Sequence, residues 1–490
     1  MGHNHELGGL HDVPPALHAA SEDDSARAML LPRFDAMRRA HDSAPSVDWP
    51  TRKGHLKALQ AMLRKYREAF AKAIDEDFGG RSAQETDMLE LFPAHGNLKH
   101  ALANTRRWMR GTHGWANLWL LPARTAIVPQ PLGVVGVIVP WNYPLFLAIG
   151  PLTDALAAGN RVMIKVSEVA PRFGEVFAKA IAEFFPADWV TVVDGDAQVA
   201  RAFSTLPFDH LLFTGATSIG HHVMRAASEN LTPVTLELGG KSPAIIGPGA
   251  RWDHAIERIM FGKLVNAGQT CIAPDYVLVP REKLDAFVAS ARQVAARLYP
   301  DAVNNAQYTS IVSPRHFERL MGLAGEAAAQ GATSHALFDA PAQAERRRLP
   351  PVILTGVHEG MRVMREEIFG PLLPVVPYDD LDAAIAYVNA RPRPLALYIF
   401  DTDDTRIDRV VDGTISGGVT INDTLLHAAE HGLPFSGVGA SGMGGYHGEV
   451  GFRTFSKEKP IFRQARFNGA GLLNPPYGKR FAMMIRQLLG

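Results

Sequence analysis

The sequence of 490 residues is poor in three things. It has one cysteine, Cys271. An intrachain disulfide is therefore excluded, and so is any Cys-rich zinc module; no metal site is expected. A lone thiol suits a reducing compartment, so a cytosolic location is expected. The sequence also has no excess charge: 50 Lys and Arg offset 50 Asp and Glu. A nucleic-acid binder needs a basic surplus on at least one face, which argues against that class. Long apolar runs free of helix breakers are missing too. The longest uncharged stretch, residues 125–153, carries Pro129, Pro131, Pro140, Pro144 and Pro151. Five prolines would break a lipid-exposed helix repeatedly, so strand and loop are expected there instead of a membrane span. Residues 1–22 are polar, lack the basic start and apolar run of a signal peptide, and read as a flexible lead-in.

What is present is ordinary globular material. The apolar fraction is 47%, and at roughly 100–200 residues per domain the length suggests two to four domains. Leu56, Leu59, Leu63, Tyr66, Phe70 and Ile74 recur at three- and four-residue spacing, which predicts an amphipathic helix stopped by Gly79-Gly80. From residue 132 the pattern changes. Short apolar runs at 134–139, 162–166, 190–193, 210–213 and 234–238 alternate with helical segments such as 174–184 and 218–228. That alternation predicts a parallel, doubly wound α/β sheet, which binds ligands at the carboxyl ends of its strands. A second α/β stretch runs from 241 to 416. Residues 432–448 read as a glycine-rich structured loop, 453–461 as a strand and 481–489 as a closing helix too short to span a bilayer. No internal repeat is visible.

Five motifs could carry chemistry. Cys271 lies in a Gly-Gln-Thr-Cys turn, where a thiolate could attack a carbonyl carbon; a buried small hydrophobe is the alternative. Glu237 interrupts a buried strand just before Gly239-Gly240, where an α/β site places an acid or base, although a strand-end surface Glu fits as well. Phe213-Thr-Gly-Ala-Thr-Ser-Ile-Gly220 runs from strand to helix through Gly215 and Gly220. It could seat a phosphate at the helix N-terminus or be only a turn. Asn142, in Pro-Trp-Asn-Tyr-Pro, could donate to an oxyanion or hold a rigid turn. Lys165 and Glu168, beyond another strand, could bind ribose hydroxyls or form a solvated pair.

Taken together, PWNYP, the Lys165–Glu168 pair, FTGATSIG, LELGGKSP, GQTCIAP and Glu366-Glu-Ile-Phe-Gly-Pro371 resemble the NAD(P)-dependent aldehyde dehydrogenase superfamily in order and spacing, over residues 25–465. Within it the chain is similar to the class 3 branch, and most of all to bacterial coniferyl aldehyde dehydrogenases. The narrower likeness rests on the 420–427, 433–448 and 451–459 segments and on residues 474–480. Two positions depart from the family pattern: Val166 stands where Pro is common, and Ala216 replaces a frequent polar residue.

The resemblance implies an α/β fold with a Rossmann-type cofactor domain (1–117 and 134–238), an α/β catalytic domain (239–425), and a bridging arm with C-terminal tail (118–133 and 426–490). It implies oxidation of an aldehyde to the acid, with Cys271 as nucleophile, Glu237 as base and Asn142 in the oxyanion hole. Lys165, Glu168, Gly215, Gly220, Glu367, Phe369 and Trp141 would bind NAD, with NADP possible. An aromatic aldehyde such as coniferyl aldehyde is the expected substrate, with Tyr143 and Phe435 available to line a pocket or the core. A medium- or long-chain aliphatic aldehyde is the rival, and a thiol esterase or a non-catalytic NAD-binding scaffold are readings from other classes. A homodimer without a membrane anchor is expected: the resemblance implies an antiparallel arm near 124–132, joined by 453–461, whose exposed strands pair across a two-fold to form an intersubunit sheet.

Overall fold

The computed structural model describes residues 19–489. The lead-in therefore lies outside the described residues up to position 18. From Ala19 to Ser43 the chain is helical, so residues 19–22 are not part of a flexible lead-in. The amphipathic pattern forms the helix Trp49–Phe78. Asp48 caps its first turn by accepting from the Thr51 amide, Pro50 fits that turn, and Gly79 ends it at φ 65°, a left-handed conformation glycine adopts without steric cost.

Two large sheets and one small one organise the molecule. The first runs, in spatial order, Gly442–Met443, Val234–Glu237, His210–Thr214, Val134–Ile138, Arg161–Lys165 and Val190–Val193. All pair in parallel except the short Gly442–Met443, which is antiparallel to Val234–Glu237. Four of these strands are wholly or almost wholly buried (134–138, 161–165, 210–214 and 234–237), which is why they read as continuous apolar runs. The chain starts at the central Val134–Ile138, fills one side, then returns to fill the other. The strand order reverses between Val134–Ile138 and His210–Thr214, and such a switch point opens a crevice for a ligand.

The second sheet has seven strands: Thr333–Ala336, Val352–Thr355, Leu372–Tyr378, Tyr276–Pro280, Pro243–Ile246, Ala396–Phe400 and Gly418–Ile421. Only the first is antiparallel to its neighbour. The third sheet joins Thr112–Trp115, Arg124–Pro131 and Ser456–Arg463, all antiparallel, and is largely exposed.

Residues 125–153 do not stay strand and loop throughout. After the strands Arg124–Pro131 and Val134–Ile138, the chain forms the helix Phe146–Ala158 with Pro151 inside it. That helix is stabilised from a distance. The Glu90 carboxylate accepts the amides of Leu145 at 2.7 Å and Phe146 at 3.1 Å, and it places negative charge at the helix N-terminus. The expected 453–461 strand is also displaced. Gly448–Thr454 is helical, and the strand is Ser456–Arg463. The closing helix spans Lys479–Leu488. Among the described residues, no helix is long and apolar enough to cross a membrane.

Candidate active site

Cys271 is delivered by an unusual turn. After the helix Trp252–Leu264, the residues Asn266, Ala267 and Gly268 take φ of 52°, 50° and 75° in succession. Left-handed backbone at a side-chain-bearing residue costs about 1–2 kcal/mol, so the surroundings must over-determine it. They do. The Asn266 amide donates to Glu85 Oε1 at 3.1 Å, and its Nδ2 donates to the carbonyls of Asn142 (3.2 Å) and Gln269 (3.1 Å). Gln269 Nε2 donates to the Asn266 and Ser310 carbonyls, both at 3.0 Å, while its Oε1 accepts the Val312 amide at 2.9 Å. At Gly268 a Cβ would lie 2.4 Å from the Gly370 carbonyl oxygen. Glycine is therefore required where the cysteine turn meets the Glu366–Pro371 loop.

Asn142 is buried beside this turn. Its Nδ2 donates to the Gln269 carbonyl at 3.2 Å, and its own carbonyl accepts from Arg81 Nη1 at 3.1 Å. The amide thus points at the peptide two residues before Cys271. Tyr143 packs alongside, with its hydroxyl 2.5 Å from Thr270 Oγ1. Arg81 and Glu90 form an ion pair at 2.9 Å with both side chains fully buried.

Glu237 ends the strand Val234–Glu237 and is 2% exposed. Among the described residues neither carboxylate oxygen has a hydrogen-bond partner, which leaves both free to meet a reacting group. Burial pushes its carboxyl well above the ordinary carboxylate range. Burial first, then the carboxylates of Glu367 and Glu237, together push the Cys271 thiol up to about 12. That mutual effect places both carboxyl groups within electrostatic reach of the thiol.

Glu367 is held in the loop that follows the short helix Arg362–Arg365. Burial, with Asp275 nearby, lifts its carboxyl to about 8, partly offset by the Gly240 amide that donates to it and by Lys241. Its Oε1 is buried without a partner. A Cβ on Gly239 would lie 1.9 Å from Glu367 Oε2, so the two glycines after Glu237 are what let this carboxylate approach. Phe369 takes φ 52°, and its ring meets that of Trp141 edge-on at 5.4 Å.

The remaining expected residues lie along the carboxyl ends of the first sheet. The Gly215 amide donates to the Glu237 carbonyl at 3.0 Å. Gly220 lets the helix Thr217–Ser228 approach the sheet, since a Cβ there would meet Leu238 at 2.7 Å. Ala216 gives that helix no side-chain cap, which leaves its first amides to a ligand or solvent. Lys165 is 1% exposed, and its Nζ donates to the carbonyls of Val166 (2.6 Å) and Gly195 (2.7 Å). Glu168 is half-exposed and 4.0 Å from that nitrogen.

The cluster that unites Cys271, Glu237 and Glu367 depends on residues the motifs did not single out. Lys241 pairs with Asp275 and donates to the Val363 and Glu366 carbonyls at 2.8 and 3.1 Å. Asp275 Oδ1 accepts the Ile368 amide at 2.9 Å. Lys241 sits inside LELGGKSP and Asp275 one residue past GQTCIAP, so their positions were a usable signal. Glu85, Arg81 and Glu90 carry no local signal, because they reach the site from a separate helical segment.

A half-buried thiol, the buried carboxyl of Glu237 and the half-buried one of Glu367 lie at the ends of the sheets, a set suited to covalent chemistry. The Aldehyde dehydrogenase family model matches residues 17–461. A Pseudomonas aeruginosa protein named "Probable coniferyl aldehyde dehydrogenase" is 53% identical over 455 residues, covering 93% of this chain and 95% of that one. The substrate-bound Staphylococcus aureus AldH structure superposes with a TM-score of 0.89 at 36% identity, over 94% of this chain and 99% of that one. A Mycobacterium tuberculosis aldehyde dehydrogenase complexed with NAD+ superposes with a TM-score of 0.80 at 28% identity, over 91% and 90%. The chain belongs to the aldehyde dehydrogenase family. Its activity is the oxidation of an aldehyde.

Proposed function

We propose that the protein oxidises an aromatic aldehyde of the coniferyl type to its acid, using NAD+. The observation that carries the chemistry is the Cys271 thiol sharing its surroundings with Glu237, whose two buried oxygens lack partners. Cys271 is the nucleophile that attacks the aldehyde carbon to form a thiohemiacetal. Its proton passes to Glu237, a carboxyl raised by burial toward a useful base strength at neutral pH. The Asn142 amide is the oxyanion donor, such a donor being worth about 3–4 kcal/mol. It leaves the Gln269 carbonyl to do so.

The site fits NAD(P)+. Glu367 keeps a buried, unpartnered oxygen, Ala216 leaves its helix start uncapped, and Gly215 and Gly220 admit close backbone approach. Glu367, Phe369 and Trp141 would hold the nicotinamide end, and Lys165, Glu168, Gly215 and Gly220 the adenosine and pyrophosphate end. When bound, the dinucleotide accepts hydride. Glu237, once it has passed the thiol proton to solvent, activates the water that hydrolyses the Cys271 thioester, and the departing sulfur takes a proton back as the acid is released. Splitting one hard oxidation into two easier steps is the benefit of covalent capture. Glu168 favours NAD+, because a carboxylate near the ribose 2′-position repels a phosphate there.

Three structural units are assigned to this work: a cofactor-binding part (1–117 and 134–238), a catalytic part (239–425) and an arm with tail (118–133 and 426–490). The exposed arm sheet, with Trp115 and Phe462 open to solvent, supports a homodimer in which pairing covers the strand edge. A single mass near 53 kDa in sedimentation would overturn the dimer. The lone thiol supports a cytosolic setting. The function is tested by kcat/KM for coniferaldehyde, benzaldehyde and hexanal, each with NAD+ and NADP+. The highest value is expected for coniferaldehyde with NAD+. A higher value for hexanal favours the aliphatic reading.

A further inference from the structure

Three imidazoles between Thr420 and Gly448 have no part in the chemistry above. His447 is 1% exposed, takes φ 85°, and neither ring nitrogen has a hydrogen-bond partner. His427 Nε2 and His431 Nδ1 are likewise buried and unpartnered, although both residues are partly exposed. A buried polar atom left unpaired costs about 1–3 kcal/mol, so three such imidazoles in one place call for an explanation. Metal binding is not it, since no three His, Cys, Asp or Glu among the described residues are placed to hold an ion.

The placement of the rings is specific. Two of the imidazoles pack against the Phe435 ring: His427 stacks on it at 6.3 Å and 20°, and His447 lies 5.6 Å away at 30°. The hydroxyl of Thr420 bonds His427 Nδ1 at 2.8 Å, which fixes that ring and leaves Nε2 free. Gly418 lies beneath it, where a Cβ would come within 3.0 Å of Nε2. The cluster adjoins the nucleophile. The His427 ring is 6.2 Å from that of Tyr398, whose hydroxyl donates to the Ile272 carbonyl next to Cys271. Tyr446, 4.5 Å from His447 ring to ring, feels the charges of both Cys271 and Glu237. Tyr398 and Tyr446 thus link the neighbourhood of the thiol to the imidazoles.

We infer that His427 and His447, both packed against Phe435, form a binding site for the ring hydroxyl of a 4-hydroxylated aromatic aldehyde whose carbonyl carbon is at Cys271. This rests on the aromatic-aldehyde reading and deepens it. A phenol both donates and accepts one hydrogen bond. A neutral imidazole offers one N–H and one bare nitrogen, so the two complement each other. Burial keeps both rings neutral, holding His427 at about 4 and His447 at about 3. Phe435 supplies the flat apolar surface against which both pack.

The test is the ratio of kcat/KM for coniferaldehyde to that for cinnamaldehyde, which lacks the ring hydroxyl and methoxyl, with vanillin against 3-methoxybenzaldehyde isolating the hydroxyl. Such a ratio does not depend on how much of a preparation is folded. It is measured in the wild type, in His427→Phe and in His447→Asn. Asn tolerates the left-handed backbone, so one variant survives if the other misfolds. Both hydroxyl ratios should exceed 1 in the wild type and fall at least about tenfold in His427→Phe. Equal losses on hydroxylated and non-hydroxylated aldehydes, with the ratios unchanged, would overturn the binding site while leaving the aromatic reading intact. A wild-type preference for hexanal over every aromatic aldehyde would overturn the aromatic reading, and the inference with it.

Discussion

Arg81 Nη1 donates to the main-chain carbonyl of Asn142 at 3.1 Å, and the same nitrogen faces Glu90 Oε1 at 2.9 Å. One buried cation thus ties the Asn142 turn to the carboxylate that caps the helix Phe146–Ala158. Removing one member of a buried ion pair strands the other, at a cost of about 3–5 kcal/mol. Arg81→Met should therefore lower the free energy of unfolding by that order in urea titrations. The double variant Arg81→Met/Glu90→Gln should recover part of the loss. A double variant as damaged as the two singles combined would show that the charges are not coupled.

The Glu237 carboxyl stands unpartnered beside the thiol. Glu237→Gln keeps the shape and removes the base. Steady-state turnover should fall by about 10²–10⁴-fold. Stopped-flow absorbance at 340 nm should show NADH rising toward one equivalent more slowly than in the wild type, because the same carboxylate takes the Cys271 proton before hydride transfer and activates water after it. Wild-type turnover in this variant would remove Glu237 from the role.

The thiol itself reports its surroundings. Burial, with Glu367 and Glu237 adding to it, raises Cys271 to about 12, so little thiolate exists at neutral pH in the free enzyme. Alkylation by iodoacetamide should stop at one equivalent. Its rate should climb by about tenfold per pH unit from roughly pH 7 to 10 without a plateau. Removing one negative neighbour lowers the thiol pKa, so Glu237→Gln should label faster at fixed pH. A plateau below pH 8 would contradict the raised value.

Glu367 links pH to stability. Its folded value of about 8 lies above the ordinary 4.5, with burial the main cause. Between those two values the folded chain holds a proton that the unfolded chain has released. Stability therefore falls as pH rises across that window. Glu367→Gln removes this penalty, so its Tm gain over wild type should be larger at about pH 9 than at about pH 5. An equal gain at both would mean the carboxyl is not raised in the fold.

The central strands of the first sheet were legible to within about a residue because burial on both faces makes each a short apolar run bounded by loops. The helix Phe146–Ala158 was not. Pro151 within it and Pro144 just before it argue against a helix, and its N-terminal amides are satisfied by Glu90, 55 residues before Leu145. Local sequence cannot reveal a cap from so far away. The same holds for the site. Cys271, Glu237 and Asn142 stood out because each breaks the pattern around it, whereas Arg81, Glu85 and Glu90 matter through partners that only folding supplies. His447 was visible as part of a motif, but its unpartnered ring nitrogens depend on tertiary packing.

Gly442 pairs in register with Glu237 on the outer edge of the first sheet, and the Leu238 amide donates to the Ser441 carbonyl at 3.1 Å. A ribosome that has finished the Glu237 strand must therefore add some two hundred more residues before that strand gains its last neighbour. Nascent chains that have passed Cys271 but not yet reached Gly442 therefore hold both residues while Glu237 still lies on an open sheet edge. That edge is closed late in synthesis, by the emergence of a two-residue strand.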